Sequence, residues 1–398
     1  MLNICAKEKC IGCEACSNIC PKGCISFKQD NEGFFFPVID KNQCVDCKLC
    51  QRVCPVNSTP KFHQSPQQVF AAWALDDEIR KSSSSGGLYS VFANYCLLHD
   101  GVVNGVYFND ELFAVHGLFN DFESVKACRG SKYVQSRPGT IYKQVKEQLK
   151  KGKTVFFTST PCQVNALYSF LGSDYDNLYT CDFICHGVPS PQYLKTCLQK
   201  ITSNAKNISK ITFRDLSKWG NYRIKVVADG KEVQENVIAN TYSTFFLSGL
   251  TCRYSCYTCP FAQAARVSDI TLGDFWGIGK YFPFPYDTEN GVSLVICHTP
   301  KGYKLLQKVR DQLFLQKRSL KEAARGNQQL NTHISLPFQR KSFYLDAENL
   351  SPNEMLAKYT VRTPLWKKIV HLPGRIWNKF YSTCMKILCM AVARYIKK

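Results

Sequence analysis

The sequence predicts an α+β fold in three parts: a small cysteine-rich module, a mixed α/β domain and a C-terminal amphipathic helix. Three observations lead to this prediction. Two cysteine runs of identical spacing lie within the first 58 residues, strand-like and helix-like segments alternate from residue 67, and residues 358–398 contain ten Lys or Arg and no Asp or Glu. At 398 residues, 45% of them hydrophobic, the chain is long enough for two or three domains with a sizeable core.

The first part is defined by the runs CIGCEACSNICP and CVDCKLCQRVCP, each with a proline after its fourth cysteine. In the bacterial two-cluster pattern, three cysteines of one run and the fourth of the other run bind each 4Fe-4S cluster. The spacing therefore predicts a ferredoxin-like domain over residues 1–58 with two clusters. One set of ligands is Cys10, Cys13, Cys16 and Cys54, and the other is Cys44, Cys47, Cys50 and Cys20. Disulfides and structural zinc are the alternatives.

Composition bears on the compartment and on the partners. A chain with 22 cysteines and no apolar leader in MLNICAKEKC is not typical of a secreted disulfide scaffold, so we expect a cytoplasmic protein. The formal net charge is +20, and half of this excess lies in residues 358–398. Each oxidised cluster with four thiolates adds about −2, which lowers the excess further. No groove-reading module accompanies the charge, so we expect no nucleic-acid partner.

The second part follows a linker, VNSTPKFHQSPQQ, and divides into residues 67–150 and 151–330. Its strand-like segments are VFAAWAL, GVVNGVYF, LFAVHGLF, TVFFTST, LYTCDFICHG and GVSLVICHT. Its helix-like segments are SSSSGGLYSVFANYCLLHDG, TIYKQVKEQLKKGK, TPCQVNALYSFLG and KGYKLLQKVRDQL. GVVNGVYF and LFAVHGLF should pair. ITFRD, YRIKVVADG and KEVQENVI predict an antiparallel section with a turn at Asp229-Gly230, and ISFKQDNEGFFFPVID predicts a hairpin between the cysteine runs.

Four fragments of this domain, in their order and spacing, resemble a known family. They are SSSSGGLYS, TSTPCQVNAL, FICHGVPSP and CRYSCYTCPFAQAARVSDITLGDFWG. Together with the double cysteine run, they resemble the coenzyme F420 hydrogenase/dehydrogenase beta-subunit family over roughly residues 1–310. The resemblance implies a flavin-binding α/β domain in which FAD or FMN lies beside an iron-sulfur centre. It also implies an oxidoreductase whose substrate is a deazaflavin coenzyme or another organic molecule.

The family pattern further implies a third 4Fe-4S cluster on Cys162, Cys185, Cys256 and Cys259. The residues are consistent with this, because Cys256 and Cys259 form a CxxC pair while Cys162 and Cys185 follow predicted strands. Strand ends at one edge of a sheet can converge on one point. Cys252 is an alternative to Cys256, zinc is an alternative to the cluster, and ordinary buried thiols are an alternative to both.

A Ser/Gly-rich helix opening leaves backbone N–H groups free for a phosphate. Within the resemblance, this predicts flavin contacts at Ser83, Ser84, Ser85, Gly86 and Gly87. A flexible helix cap is the alternative.

Three residues are candidates for catalysis, each with a structural alternative. Lys132 would lie near the flavin ring or a substrate phosphate, or would be a solvated lysine. His186 would donate a proton or hydrogen-bond the cluster, or would be structural. Asp274 would position the flavin or the substrate, or would be a turn residue.

The third part contains an amphipathic pattern after a Pro-Gly break. Its apolar face has Trp377, Tyr381, Cys384, Leu388, Ala391 and Tyr395, and its basic face has Arg375, Lys379, Lys386 and Lys397. Such a helix suits an anionic membrane surface on the cytoplasmic side, although packing on its own domain or a partner is the alternative.

Taken together, these features predict an iron-sulfur flavoprotein oxidoreductase. Electrons would pass between the ferredoxin-type clusters and a flavin that exchanges hydride with an organic substrate or a deazaflavin coenzyme. A ferredoxin or another redox protein would be the partner. The alternative function is a non-catalytic electron-transfer subunit that serves a partner enzyme, for example in polysaccharide biosynthesis.

Overall fold

The computed structural model of the chain describes residues 3–64, 68–202, 207–214, 219–233 and 237–360. For residues 237–240 it describes the backbone alone. Residues up to Pro352 form one compact unit, and residues from Asn353 form a second. The predicted amphipathic tail helix lies outside the described residues. Within them, no helix has the length and hydropathy needed to cross a membrane.

The cysteine-rich module consists of a hairpin and two short helices. Its elements are α1 (Ala15–Ile19), β1 (Ile25–Gln29), β2 (Phe35–Ile39) and α2 (Leu49–Arg52). β1 and β2 pair antiparallel, which confirms the predicted hairpin. α1 and α2 each follow a residue with left-handed backbone, Glu14 (φ 58°) and Lys48 (φ 59°). These two residues occupy equivalent positions in the two cysteine runs, so the sequence repeat is also a repeat of backbone conformation.

An eight-stranded mixed sheet forms the centre of the second part. Its strands are β3 (Gln68–Ala74), β4 (Val102–Phe108), β5 (Ala114–Phe119), β6 (Val155–Ser159), β7 (Leu178–Phe183), β11 (Ile270–Asp274), β12 (Ser293–Cys297) and β13 (Leu313–Arg318). Their order is β13-β3-β12-β11-β7-β6-β4-β5. β4, β6, β7 and β11 are parallel neighbours, and the pairs flanking them are antiparallel. The carboxyl ends of these four parallel strands therefore lie at one edge of the sheet.

A smaller antiparallel sheet has the order β10-β9-β8. Its strands are β8 (Ile208–Thr212), β9 (Lys225–Ala228) and β10 (Lys231–Glu232). The predicted turn is confirmed, since Asp229 and Gly230 both have positive φ between β9 and β10. KEVQENVI joins the predicted antiparallel section only at its start. β10 ends after two residues, and a helix that continues through VIANTYSTFFL begins at Val237.

Helices pack on both faces of the large sheet. The helices that the structure describes beyond the module are α3 (Asp77–Lys81), α4 (Leu88–Leu98), α5 (Phe122–Ala127), α6 (Ile141–Lys150), α7 (Pro161–Leu171), α8 (Pro191–Thr202), α9 (Val237–Leu247), α10 (Pro300–Lys308), α11 (Leu320–Gly326), α12 (Arg340–Asn349) and α13 (Pro352–Tyr359). All four predicted helices form. The last one, α10, ends earlier than predicted, because the chain turns at Arg310–Gln312 and enters β13 at Leu313 to pair with β3.

The packing of β6 on both faces matches its sequence, in which three apolar residues precede Thr158 and Ser159. All five of its residues are buried, as expected for a central parallel strand that is covered on both faces. Phe156 packs in the cluster that includes Phe92 of α4, whereas Phe157 packs in the cluster that includes Val164 of α7. Cys13 of the cysteine-rich module belongs to the same cluster as Phe157, so the module lies on the α7 side of the sheet.

A buried ion pair also joins the module to the larger domain. The Arg340 guanidinium is 1% exposed and donates to both carboxylate oxygens of Glu32, at 2.8 and 2.6 Å. It also donates to the carbonyl oxygen of Cys252. Glu32 lies in the turn of the β1–β2 hairpin, and Arg340 begins α12.

We expect Arg340→Met to destabilise the protein by about 3–5 kcal/mol, because Glu32 would remain partly buried without its counter-charge. The measurement is anaerobic chemical unfolding followed by circular dichroism. The exposed Arg325 offers a control, for which Arg325→Met should change stability by less than about 0.5 kcal/mol. Equal stabilities of the two variants would contradict the role of this pair.

Candidate functional site

The N-terminal cysteines are grouped crosswise between the two runs. Burial raises the pKa of Cys16, and the neighbouring Cys10 and Cys54 raise it further, so the last cysteine of the second run lies with the first run. Conversely, Cys20 lies with Cys44, Cys47 and Cys50 around a surface hollow of about 20 Å³. The structure thus brings together the members of each predicted ligand set. We call them the buried set (Cys10, Cys13, Cys16 and Cys54) and the exposed set (Cys20, Cys44, Cys47 and Cys50).

The two sets differ in their access to solvent. Cys47 of the exposed set lies on the surface, whereas Cys13, Cys16 and Cys54 of the buried set are each 7% exposed. Cys13 shares an apolar cluster with Cys162 and Cys259 of the larger domain. The buried set therefore lies between the exposed set and the cysteines of the larger domain.

Those cysteines converge at the edge where the parallel strands end. Cys162 is the second residue of α7, directly after β6, and Cys185 follows β7 by two residues. Cys256 and Cys259 lie in and directly after a 3₁₀ helix, Tyr254–Thr258. Burial raises the pKa of Cys185, and the neighbouring Cys256, Cys162 and Cys259 raise it further. We call these four the domain set.

Cys252 stays the alternative to Cys256 as a fourth ligand. Its side chain is fully buried, and burial followed by the nearby Cys185 raises its pKa. In the part of the chain that the structure describes, no three His, Cys, Asp or Glu side chains lie close enough together to hold a single metal ion. Each thiolate on a cubane binds a different iron, so cluster ligands lie further apart than ligands of one ion. The cluster assignments stay predictions.

A cavity of about 480 Å³ adjoins Cys185. This volume lies within the range of about 300–1,000 Å³ that is typical of ligand pockets. The cavity is lined by all but one of the residues predicted outside the cysteine sets, namely Ser83, Ser84, Ser85, Gly87, Lys132, His186 and Asp274.

The three serines have different hydroxyl partners. The Ser83 hydroxyl donates to the carbonyl oxygen of Ile79 at 2.7 Å. The Ser84 Oγ accepts from the Ser131 N–H at 2.8 Å, which leaves its own proton free to donate. The Ser85 Oγ is buried and has no hydrogen-bond partner among the described residues. Since a buried polar atom normally has a partner, Ser85 is the serine that most needs a ligand.

The two glycines have backbone roles. Gly86 donates its N–H to Ser293 Oγ, and a Cβ there would lie 2.4 Å from the carbonyl oxygen of Ala72. Gly86 therefore allows the loop to pack directly on β3, and it is not among the residues lining the cavity. Gly87 has φ +86° and is the N-cap of α4, whose first N–H groups have no intrahelical acceptor.

Lys132 lies in the cavity wall beyond α5. Its Nζ donates to the carbonyl oxygens of Cys128, Arg129 and Gly130 at 2.8, 3.2 and 3.2 Å. Burial lowers the pKa of Lys132 to about 8. With its three protons in these hydrogen bonds, the ammonium supplies positive charge to the cavity rather than a free proton.

His186 is held through both ring nitrogens. Its Nε2 lies 3.1 Å from the carbonyl oxygen of Leu247 and its Nδ1 lies 3.1 Å from the side-chain amide nitrogen of Gln329. Burial lowers the pKa of His186, which favours the neutral ring. These contacts assign the proton to Nε2 and leave the ring no free nitrogen toward the cavity, which agrees with the structural alternative.

Asp274 forms a buried, bidentate ion pair with Arg214 at the end of β11. Arg214 donates to both carboxylate oxygens, and the indole N–H of Trp219 donates to Oδ1 at 2.8 Å. Arg214 also donates to the carbonyl oxygen of Ser84 at 2.9 Å and to the Tyr133 hydroxyl at 2.6 Å. Arg214 thus links the serine loop to β11, and sequence reasoning missed it because ITFRD offers no signal beyond a lone arginine in a short strand.

Comparisons with known proteins agree with this architecture. The family model for the coenzyme F420 hydrogenase/dehydrogenase beta subunit matches in two parts, the N-terminal model over residues 69–139 and the C-terminal model over residues 152–323. A 4Fe-4S dicluster domain matches residues 9–58. The chain belongs to the coenzyme F420 hydrogenase/dehydrogenase beta-subunit family. It is therefore an iron-sulfur protein of a family of oxidoreductase subunits.

Among solved structures, the chain is similar to a subunit of the F420-reducing NiFe hydrogenase complex from Methanosarcina barkeri. The two chains are 17% identical with a TM-score of 0.43, over 68% of this chain and 96% of that one. A search of curated proteins finds no match.

We expect Asp274→Asn to destabilise the protein by about 3–5 kcal/mol, because the buried Arg214 would lose its counter-charge. Tryptophan fluorescence should also change, since Trp219 donates to this carboxylate. Both are measured in anaerobic unfolding experiments. The exposed Asp311 offers a control, and an Asp274→Asn variant as stable as Asp311→Asn would contradict the prediction.

Proposed function

We propose that the protein is an iron-sulfur flavoprotein oxidoreductase in which the 480 Å³ cavity binds a flavin beside the domain set of cysteines. One observation supports this most strongly. One part of the cavity wall contains Ser84 and Ser85, which suit an anion, and another part contains Cys185.

The residues in the wall fit a flavin. The Ser85 Oγ without a partner, the Ser84 hydroxyl and the free N–H groups at the start of α4 would hold its phosphate groups. Tyr133, Tyr222, Phe246 and Trp276 supply the apolar and aromatic surface that the ring system needs. When bound, a flavin exchanges single electrons with iron-sulfur clusters and hydride with an organic substrate.

The order of the three cysteine sets suits the transfer of single electrons to or from a flavin. They follow one another from Cys47 at the surface, through the buried set, to Cys185 at the cavity. This order offers single electrons a route between a partner redox protein outside and the cavity inside. The organic substrate, for which a deazaflavin coenzyme is one candidate, would enter the cavity itself.

The remaining side chains of the cavity wall position the serine loop or supply charge to the cavity. The Arg214–Asp274 pair positions the serine loop against β11. Lys132 supplies positive charge, which favours an anionic group of the flavin or the substrate. We assign no proton transfer to His186, because both of its ring nitrogens have partners.

Anaerobic purification with iron, sulfide and flavin quantified per chain tests the proposal. With three 4Fe-4S clusters and one bound flavin, each chain should contain about twelve irons and about one flavin. Cys162→Ala and Cys259→Ala should each lose about four irons. Cys96→Ala is the control, because Cys96 is buried in α4 away from the three sets and should keep the full number.

Iron content also distinguishes the alternatives. About eight irons in the unmodified protein would remove the third cluster, and zinc in place of iron would contradict the redox proposal altogether. Comparing Cys252→Ala with Cys256→Ala identifies the fourth ligand. If the iron is complete but the protein alone turns over no small electron acceptor, the electron-transfer subunit is the better description.

We expect Ser85→Ala to weaken flavin binding by about 10- to 100-fold, because a hydrogen bond to a charged group contributes about 1.5–3 kcal/mol. In the flavin-free protein the same change should leave stability unchanged or slightly raised, since the hydroxyl has no partner there.

Ser83→Ala is the matched control for this prediction. It should lower stability slightly, through loss of the bond to Ile79, and leave flavin affinity unchanged. Flavin fluorescence titration gives the affinities. Equal affinities of Ser85→Ala and the unmodified protein would mean that Ser85 does not contact the flavin.

A further inference from the structure

Arg253 is a buried cation without a carboxylate partner. It lies between Cys252 and Cys256, is 2% exposed, and has no Asp or Glu oxygen within 4.0 Å among the described residues. Its guanidinium instead donates to the carbonyl oxygens of Cys10 (2.7 Å) and Phe35 (3.1 Å) and to Oε1 of Gln135 (3.0 Å). The ring of Phe36 lies 4.1 Å from the guanidinium carbon.

The other two arginines with almost no exposure differ in this respect. Arg266 faces Asp182 at 3.5 Å, and Arg340 faces Glu32 at 2.6 Å. Burying a charge with no counter-charge costs several kcal/mol, whatever neutral hydrogen bonds the group makes. Arg253 therefore needs a source of negative charge that no carboxylate provides.

The position of Arg253 indicates that source. Its Nε–H binds the carbonyl oxygen of Cys10, and a Cβ on Gly12 would lie 3.2 Å from its Nη1, so the guanidinium contacts the loop that begins the buried set. Its own carbonyl oxygen accepts from the Cys256 N–H at 2.9 Å. A cluster with four thiolates carries about −2 when oxidised and about −3 when reduced.

We propose that Arg253 is the counter-charge of the cluster on the buried set and that it raises the reduction potential of this cluster. The inference rests on the proposed function. A nearby cation stabilises the reduced cluster more than the oxidised one, because reduction adds one negative charge. If the cluster on the exposed set gave up one electron, going from the 1+ to the 2+ state, the cluster on the buried set would take it up, going from 2+ to 1+, with no proton moved and no bond formed or broken. Arg253 acts on the reduction potential through its positive charge.

An anaerobic redox titration monitored by electron paramagnetic resonance tests the proposal. The signal of the buried set is identified by its loss in Cys13→Ser. Arg253→Met should lower the midpoint potential of that signal enough to change its reduction equilibrium at least tenfold, which corresponds to about 59 mV for one electron. Arg253→Lys should keep most of the potential, because it keeps the charge.

A second variant tests the same charge even if Arg253→Met fails to fold. Gln135→Glu would set a carboxylate against Nη1 of Arg253, where the Gln135 oxygen already accepts. This neutralises the cation in place and should also lower the potential. Arg325→Met is the control, since it removes an exposed positive charge at the end of α11, and it should leave the potential unchanged.

A lowered potential in Gln135→Glu, and in Arg253→Met where that variant folds, with full iron content and an unchanged control, supports the proposal. An unchanged potential in Gln135→Glu with full iron content overturns it and leaves Arg253 a purely structural role. An unmodified protein without iron would contradict the proposed function, and this inference with it.

Discussion

The shared direction of β4, β6, β7 and β11 is the constraint on which the rest of the structure depends. Because these strands are parallel, their carboxyl ends meet at one edge of the sheet. Cys162 follows β6, Cys185 follows β7 and Asp274 ends β11, so three segments far apart in sequence deliver side chains to one place. This is the usual position of ligand sites in open α/β sheets.

The cysteine-rich module packs on the larger domain through an apolar cluster and through buried polar contacts. Arg340 binds Glu32 in the hairpin turn, and Arg253 binds the carbonyl oxygen of Cys10 at the start of the first cysteine run. Both arginines come from segments that also contact the domain cysteines. Arg340 donates to the Cys252 carbonyl, and Arg253 precedes Cys256 by three residues. These two arginines therefore join the module to the segment that contains Cys252 and Cys256.

Much of this architecture could be predicted from the sequence, for physical reasons that also explain what could not. The spacing of the cysteine runs determines the crosswise sets, because a short loop reaches only three corners of a cubane. The apolar start of β6, with Val155, Phe156 and Phe157, predicts a buried strand because both faces of a central parallel strand are covered. Strand order depends on which edges pair in the folded chain, and KGYKLLQKVRDQL shows no local signal that β13 begins at its final leucine. Arg214 and Arg253 were missed because a lone arginine gains its importance only from buried neighbours.

Access to the exposed set and access to the cavity are separate. Cys47 lies at the surface beside Val45, which is 58% exposed, whereas the cavity beside Cys185 opens among Ser84, Arg214 and Trp276. A protein partner that reaches Cys47 need not approach the cavity, and a small molecule in the cavity need not approach Cys47. Three of the intervening cysteines, Cys13, Cys16 and Cys54, are buried, and burial limits solvent contact with any cluster they bind. The fold therefore suits a protein that exchanges electrons with a partner at one surface and binds a small molecule at another.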